Sequence, residues 1–185
     1  MSLIKRMLAM AGMAFLALPV VPEASAGGAQ RSPEHTGGQG MAIPSSVQAE
    51  HQEIHAQLAQ VLKAGGKTGA AAGDLAKLLE PHFLKEEQLA LPPLGLLEAL
   101  AAGKAVSDPQ RVIEMTDRLK AEMPGMLSEH KDIGGAVQRL RSAARDEGKH
   151  DALQYAERLS AHAKQEEQVM YPSAIMVGEF LKLKR

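Results

Sequence analysis

Residues 82–92 read His82-Phe83-Leu84-Lys85-Glu86-Glu87-Gln88-Leu89-Ala90-Leu91-Pro92, and residues 162–172 read His162-Ala163-Lys164-Gln165-Glu166-Glu167-Gln168-Val169-Met170-Tyr171-Pro172. Each stretch places a His and a Glu four residues apart inside an apolar series. The series are Leu75, Leu79, His82, Glu86, Leu89 and Tyr155, Leu159, His162, Glu166, Val169. Steps of four and three residues describe one face of a helix, the face that a bundle buries. A His at i and a Glu at i+4 share that face, so both groups of each pair are aimed into the bundle centre.

Two further stripes complete the set: Val47, His51, Ile54, Leu58, Val61, and Leu119, Met123, Met126, His130, Ile133, Val137, Leu140. The first helix is expected from Pro44-Ser45-Ser46 to Lys63, stopped by Gly65-Gly66. A second runs from about Ala70 to Leu89, closed by Pro92-Pro93. A connector follows, with a short helix over Leu94–Ala102. The third helix spans Pro109 to about Ala144, with Pro124 kinking or restarting it, and Gly148 marks its end. A fourth starts near Asp151 and is kinked or limited by Pro172. Strand signals are missing, and short links favour antiparallel neighbours, so the fold class is all-α, an up-down-up-down four-helix bundle.

Composition narrows the function. The 185-residue chain has no Cys, which excludes disulfides, thiolate metal sites and a cysteine nucleophile. A net charge of −1 and 3% aromatic residues supply neither the electrostatics nor the stacking platforms of nucleic-acid binding. Lys5 and Arg6, the apolar run Met7 to Val21 and Ala24-Ser25-Ala26 read as an export leader over residues 1–26, cleaved after Ala26; an uncleaved anchor is the alternative. Export places the chain in the periplasm, with no membrane attachment once the leader is removed. Residues 27–43 read as a flexible tail and residues 44–185 as the bundle.

Every stripe is interrupted at one level by His51, His82 with Glu86, His130, or His162 with Glu166. One buried His is ordinarily a satisfied core residue. Four interruptions with two carboxylates, each heavily penalised without a partner, describe a nitrogen- and oxygen-rich metal cage. The chain is also internally duplicated. Glu50-His51-x-x-Ile54 recurs as Glu129-His130-x-x-Ile133, and His82-x-x-x-Glu86-Glu87 recurs as His162-x-x-x-Glu166-Glu167. Two equivalent half-sites argue for two metals side by side, with Glu86 and Glu166 free to bridge them.

These repeated signatures resemble the hemerythrin-like (HHE cation-binding) domain family over roughly residues 44–175. The resemblance implies two non-haem iron ions bridged by two carboxylates and an oxygen atom. Zinc or manganese also suits such ligands. Ferritin-like proteins place Glu before His at i, i+3, the reverse of the order here. His55 lies one turn after His51, whereas its repeat-mate is Gly134. It is either a flank residue or a fifth imidazole ligand, and as a ligand it would leave an open metal position near Gly134. The candidate metal ligands are therefore His51, His55, His82, Glu86, His130, His162 and Glu166. Oxygen-carrying hemerythrins are similar in having five His and two carboxylates, but their paired His-x-x-x-His lies on the third helix.

The resulting expectation is an exported metal- and oxygen-binding protein taking O2 or another small ligand, with no catalytic residue and no protein partner assigned. A di-iron enzyme acting on peroxide or nitric oxide, or an iron storage or transfer protein, is the alternative. Glu50, Glu87, Glu129 and Glu167 read as solvated flank charges, some within reach of a ligating imidazole. Tyr155 reads as core, Tyr171 as packing near the bundle end, and His35 and His150 as bystanders.

Overall fold

The computed structural model describes residues 41–185, which lie within one compact unit. The leader, most of the tail and His35 fall outside the described residues. Four long helices carry the stripes: α1 (Ser45–Leu62), α2 (Gly66–Lys85), α4 (Pro109–Asp146) and α5 (His150–Gln165). A short α3 (Leu97–Ala101) lies in the connector, after a 3-10 segment over Pro92–Leu96, and α6 (Tyr171–Leu183) prolongs the line of α5. There is no strand among the described residues. Contacts run from α1 to α2, α2 to α4, α4 to α5, and back from α5 to α1, closing a four-helix ring. The α1–α2 and α4–α5 links are only three residues each, as helical hairpins require.

Two apolar clusters divide the bundle along its length. One gathers Ile54, Leu58, Leu75, Leu79, Phe83, Ile133, Val137, Leu140, Tyr155 and Leu159. The other gathers Leu89, Leu91, Leu119, Met126, Met170 and Tyr171. On α4, His130 lies between Met126 of the second cluster and Ile133 of the first. On the last helical line, His162 and Glu166 lie between Leu159 and Met170. The polar level is thus enclosed by hydrocarbon from above and below.

Three expectations change in detail. Helix α2 begins at Gly66, not near Ala70, because the distant Glu147 carboxylate accepts from Lys67 N (2.8 Å), Thr68 N (2.9 Å) and Thr68 Oγ1 (2.6 Å). These otherwise unpaired donors of the first turn meet an anion at the positive helix end. Gly65 and Gly66 both adopt positive φ (66° and 60°), and a β-carbon on Gly66 would lie 2.4 Å from Glu147 Oε1. Second, Pro124 does not restart α4, which runs through it as one 38-residue helix. The missing hydrogen bond is offset by burial on both sides, with Leu119 and Met126 fully enclosed.

Third, the irregularity expected at Pro172 falls just before it. Both His-x-x-x-Glu helices pass into a π-helical turn beginning at the Glu, over Glu86–Ala90 and Glu166–Met170. The N–H of Leu91 bonds the Glu86 carbonyl, and that of Tyr171 bonds the Glu166 carbonyl. Each π turn closes on the residue preceding a proline. The wider turn advances the register by one residue. Val169, read as part of the buried stripe, is 55% exposed, while Met170 and Tyr171 face inward.

The Glu147 carboxyl is held down to about 2 by its hydrogen bonds to Thr68 and Lys67. Its folded value lies below its unfolded one, so its stabilisation is complete above the usual carboxylate range and is lost as pH falls toward 2. Replacing Glu147 with Gln is therefore expected to lower the thermal midpoint by a few degrees at pH 7. The difference from wild type should shrink on acidification between pH 5 and pH 2, as read by far-ultraviolet circular dichroism.

Candidate metal centre

The six seam residues converge. Glu86 is fully buried, Glu166 is 1% exposed, His51, His82 and His162 are 2% exposed, and His130 is 6% exposed. Glu166 Oε1 lies 2.8 Å from His162 Nε2 and 3.4 Å from His51 Nε2, while its Oε2 lies 3.5 Å from His130 Nε2. Glu86 Oε1 is 3.4 Å from His82 Nε2, and Oε2 is 4.0 Å from His51 Nε2. Two overlapping groups have ligand atoms close enough to hold an ion: His82, Glu86, His130 and Glu166, and His51, His162 and Glu166. Glu166 belongs to both.

The outer nitrogens of the imidazoles form a second pattern. His82 Nδ1 donates to Glu129 Oε2 and His130 Nδ1 to Glu167 Oε1, each at 2.8 Å. His162 Nδ1 lies 3.3 Å from Glu50 Oε1, and His51 Nδ1 lies 3.7 Å from Glu87 Oε1. Each imidazole thus has a carboxylate from the next helix around the ring near its outer nitrogen, but only those of His82 and His130 are hydrogen-bonded. Two of the four glutamates read as flank charges, Glu129 and Glu167, therefore orient imidazoles of the cage. A carboxylate behind an imidazole selects its tautomer and makes the inner nitrogen a better ligand.

That arrangement suits a metal. With both Nδ1–H groups committed to carboxylates, the Nε2 lone pairs of His82 and His130 face each other at 2.8 Å. Such a pair repels unless a cation or a proton lies between. Glu86 Oε2 and the Nδ1 atoms of His51 and His162 also have no hydrogen-bond partner, a costly state for buried polar atoms. Burial disfavours charge on His51, yet the carboxylates of Glu166, Glu87 and Glu86 outweigh it and raise the imidazole to about 9. The same competition raises His82 and His130. Burial and the neighbouring Glu166 charge push Glu86 up. Burial also acts against Glu166, but its three imidazole neighbours prevail and hold it well below the carboxylate range. The cage therefore favours positive charge at its centre.

A family model, hemerythrin HHE cation-binding domain, matches residues 42–174. The chain belongs to this family. No curated protein and no solved structure shows a significant match to it. The hemerythrin HHE domain is a cation-binding unit, and the buried His/Glu level is where this chain offers cation ligands.

One residue, Tyr171, stands differently from its sequence reading, and His55 stands beside the cage. His55 lies outside both ligand groups; its half-buried ring meets Phe83 edge-on, with centroids 4.8 Å apart. The four-residue step from His51 carries it one turn along α1, where Phe83 occupies the space beside it. Tyr171 is not simply a packing residue: its hydroxyl donates to Glu86 Oε1 and lies 3.1 Å from His130 Nε2. Plain α-helical spacing would direct Tyr171 away from the Glu166 face, and the π turn brings it back. Tyr155 is core, as read, and His150 is exposed at the start of α5.

The carboxylates behind the imidazoles generate a prediction. Glu129→Gln or Glu167→Gln should weaken metal binding by about 10–100-fold, measured by competition with a chelator, while helix content stays unchanged.

Proposed function

We propose that this cage holds two non-haem iron ions and that the protein binds O2 there, outside the cytoplasm. The observation that carries the reading is the pair of ligand groups joined at Glu166. Four imidazoles and two carboxylates suit iron, and when bound the pair supplies a redox-active centre able to react with O2. On this reading, His82 and His130 hold one side, His51 and His162 the other, and Glu86 and Glu166 lie between. Tyr171 steadies Glu86 through its hydroxyl. Leu89, Met126, Ile133 and Leu159 exclude water from the two ends of the cage. The proposed export is supported by the leader pattern of residues 1–26, and no helix among the described residues is long and apolar enough to cross a membrane.

One observation favours a second reading, a di-iron enzyme reducing peroxide or nitric oxide. The Tyr171 hydroxyl is a buried proton donor in contact with Glu86 and beside His130. Storage or transfer of iron is less well supported, because it needs ligands that release easily and these six are almost wholly enclosed.

Metal analysis and spectra of the chain purified without affinity-tag histidines separate these readings. Two irons per chain, with a visible band that appears with O2 and vanishes on its removal, is the expected result. Irreversible oxidation with catalytic loss of peroxide would establish the enzyme instead. Tightly bound zinc without iron after iron-replete expression would overturn both. In the same assay His55→Ala should keep the metal content and spectrum of wild type, whereas His51→Ala should lose metal; a shifted band in His55→Ala would make His55 a ligand.

A further inference from the structure

Aligning the two hairpins on their His-x-x-x-Glu pairs reveals a difference beside the cage. In the first hairpin the ring of His55 on α1 meets Phe83 on α2, and Phe83 also packs against His51 at 4.9 Å between centroids. This aromatic pair covers the His51 side. In the second hairpin the corresponding positions are Gly134, one turn after His130, and Ala163, the residue after His162. Both halves of the plug are missing there. A β-carbon added at Gly134 would meet nothing within 4 Å. A cleft of about 400 Å³ lies between α4 and α5 at this place, bordered by Gly134 and Ala163 and reaching His130 and Glu167. Accordingly His130 is the most exposed of the six cage residues, at 6% against 2% or less.

The chemistry of the cleft is graded. Ile133, Val137 and Leu159 supply apolar wall, while Arg141 and Lys164 supply positive charge. Glu167, the acidic group in the lining, is engaged by His130 Nδ1. Arg141 donates a long 3.4 Å bond to Gln138, but its Nε is buried with no hydrogen-bond partner. A cationic lining attracts small anions, and the apolar wall beyond it admits small neutral molecules.

We propose that the cleft between α4 and α5 is the port through which molecules of two or three atoms, anions above all, reach the metal pair, and that Gly134 and Ala163 keep it open. On the opposite hairpin the His55–Phe83 pair stands where Gly134 and Ala163 leave space. The inference rests on the metal-binding reading above.

Azide binding to the iron-loaded full chain, followed by stopped-flow absorbance, tests it. Gly134→Leu with Ala163→Phe builds an apolar plug into the second hairpin without offering a new imidazole beside His130. Association and dissociation of azide should both slow by about tenfold or more, with iron content and equilibrium affinity little changed, because a port sets rates and leaves the bound state alone. Gly134→Leu is the simpler variant, since its side chain enters free space and its helix propensity improves. It should slow azide in the same sense if the double variant fails to fold. Arg141→Gln should slow association and flatten its dependence on salt. Normal iron content with wild-type azide rates in the plugged protein would overturn the port alone. A wild-type chain that takes up no iron would overturn the metal reading and the port with it.

Discussion

Two carboxylates buried side by side in hydrocarbon are the constraint around which this bundle is organised. Glu86 and Glu166 lie between two apolar clusters, where an unpaired charge costs several kcal/mol. Helix packing alone cannot offset that cost. Four imidazoles facing inward answer it, and the rim carboxylates of Glu129 and Glu167 define the tautomers of two of them. Imidazoles therefore separate the two inner carboxylates from the outer glutamates. The apolar clusters above and below hold this layer in place and keep it dry.

The duplicated hairpin explains why the layer balances, and its departures from duplication explain why the two sides differ. His51 and His130, His82 and His162, Glu86 and Glu166 are matched pairs, and both Glu positions open a π turn before a proline. Yet Leu91 corresponds to Tyr171 in the repeat, His55 to Gly134, and Phe83 to Ala163. The phenol and the aromatic pair therefore have no counterpart in the other hairpin. Near-symmetry in the ligands serves metal binding, while asymmetry in their surroundings distinguishes one approach from the other.

Much of this was legible in the residues. The four stripes named the helices, and the polar breaks at one level named six groups of the cage, because burial of a His or Glu violates a simple periodic rule. What escaped depended on partners far along the chain or on a changed period. Glu50, Glu87, Glu129 and Glu167 sit one step off the seam, where a carboxylate that backs an imidazole is indistinguishable from a solvated one. Glu147 extends α2 from the opposite hairpin, which no local breaker rule contains. The π turns move Val169 out and Tyr171 in, and a stripe extrapolated at constant pitch misses both. His55 satisfies the spacing of a ligand, and its ring packs on Phe83.

The rim glutamates have a consequence for mechanics. Glu129 ties α4 to His82 on α2, and Glu167 ties the last helical line to His130 on α4, each at 2.8 Å. Helix α4 is therefore held from both sides, and rotating it about its own axis would break both links at once. Glu50 and Glu87 approach His162 and His51 more loosely, at 3.3 Å and 3.7 Å. Sliding a helix past its neighbours meets soft apolar contacts, but twisting α4 meets two hydrogen bonds. The helix in the middle of these links is the one whose angular phase is most firmly set.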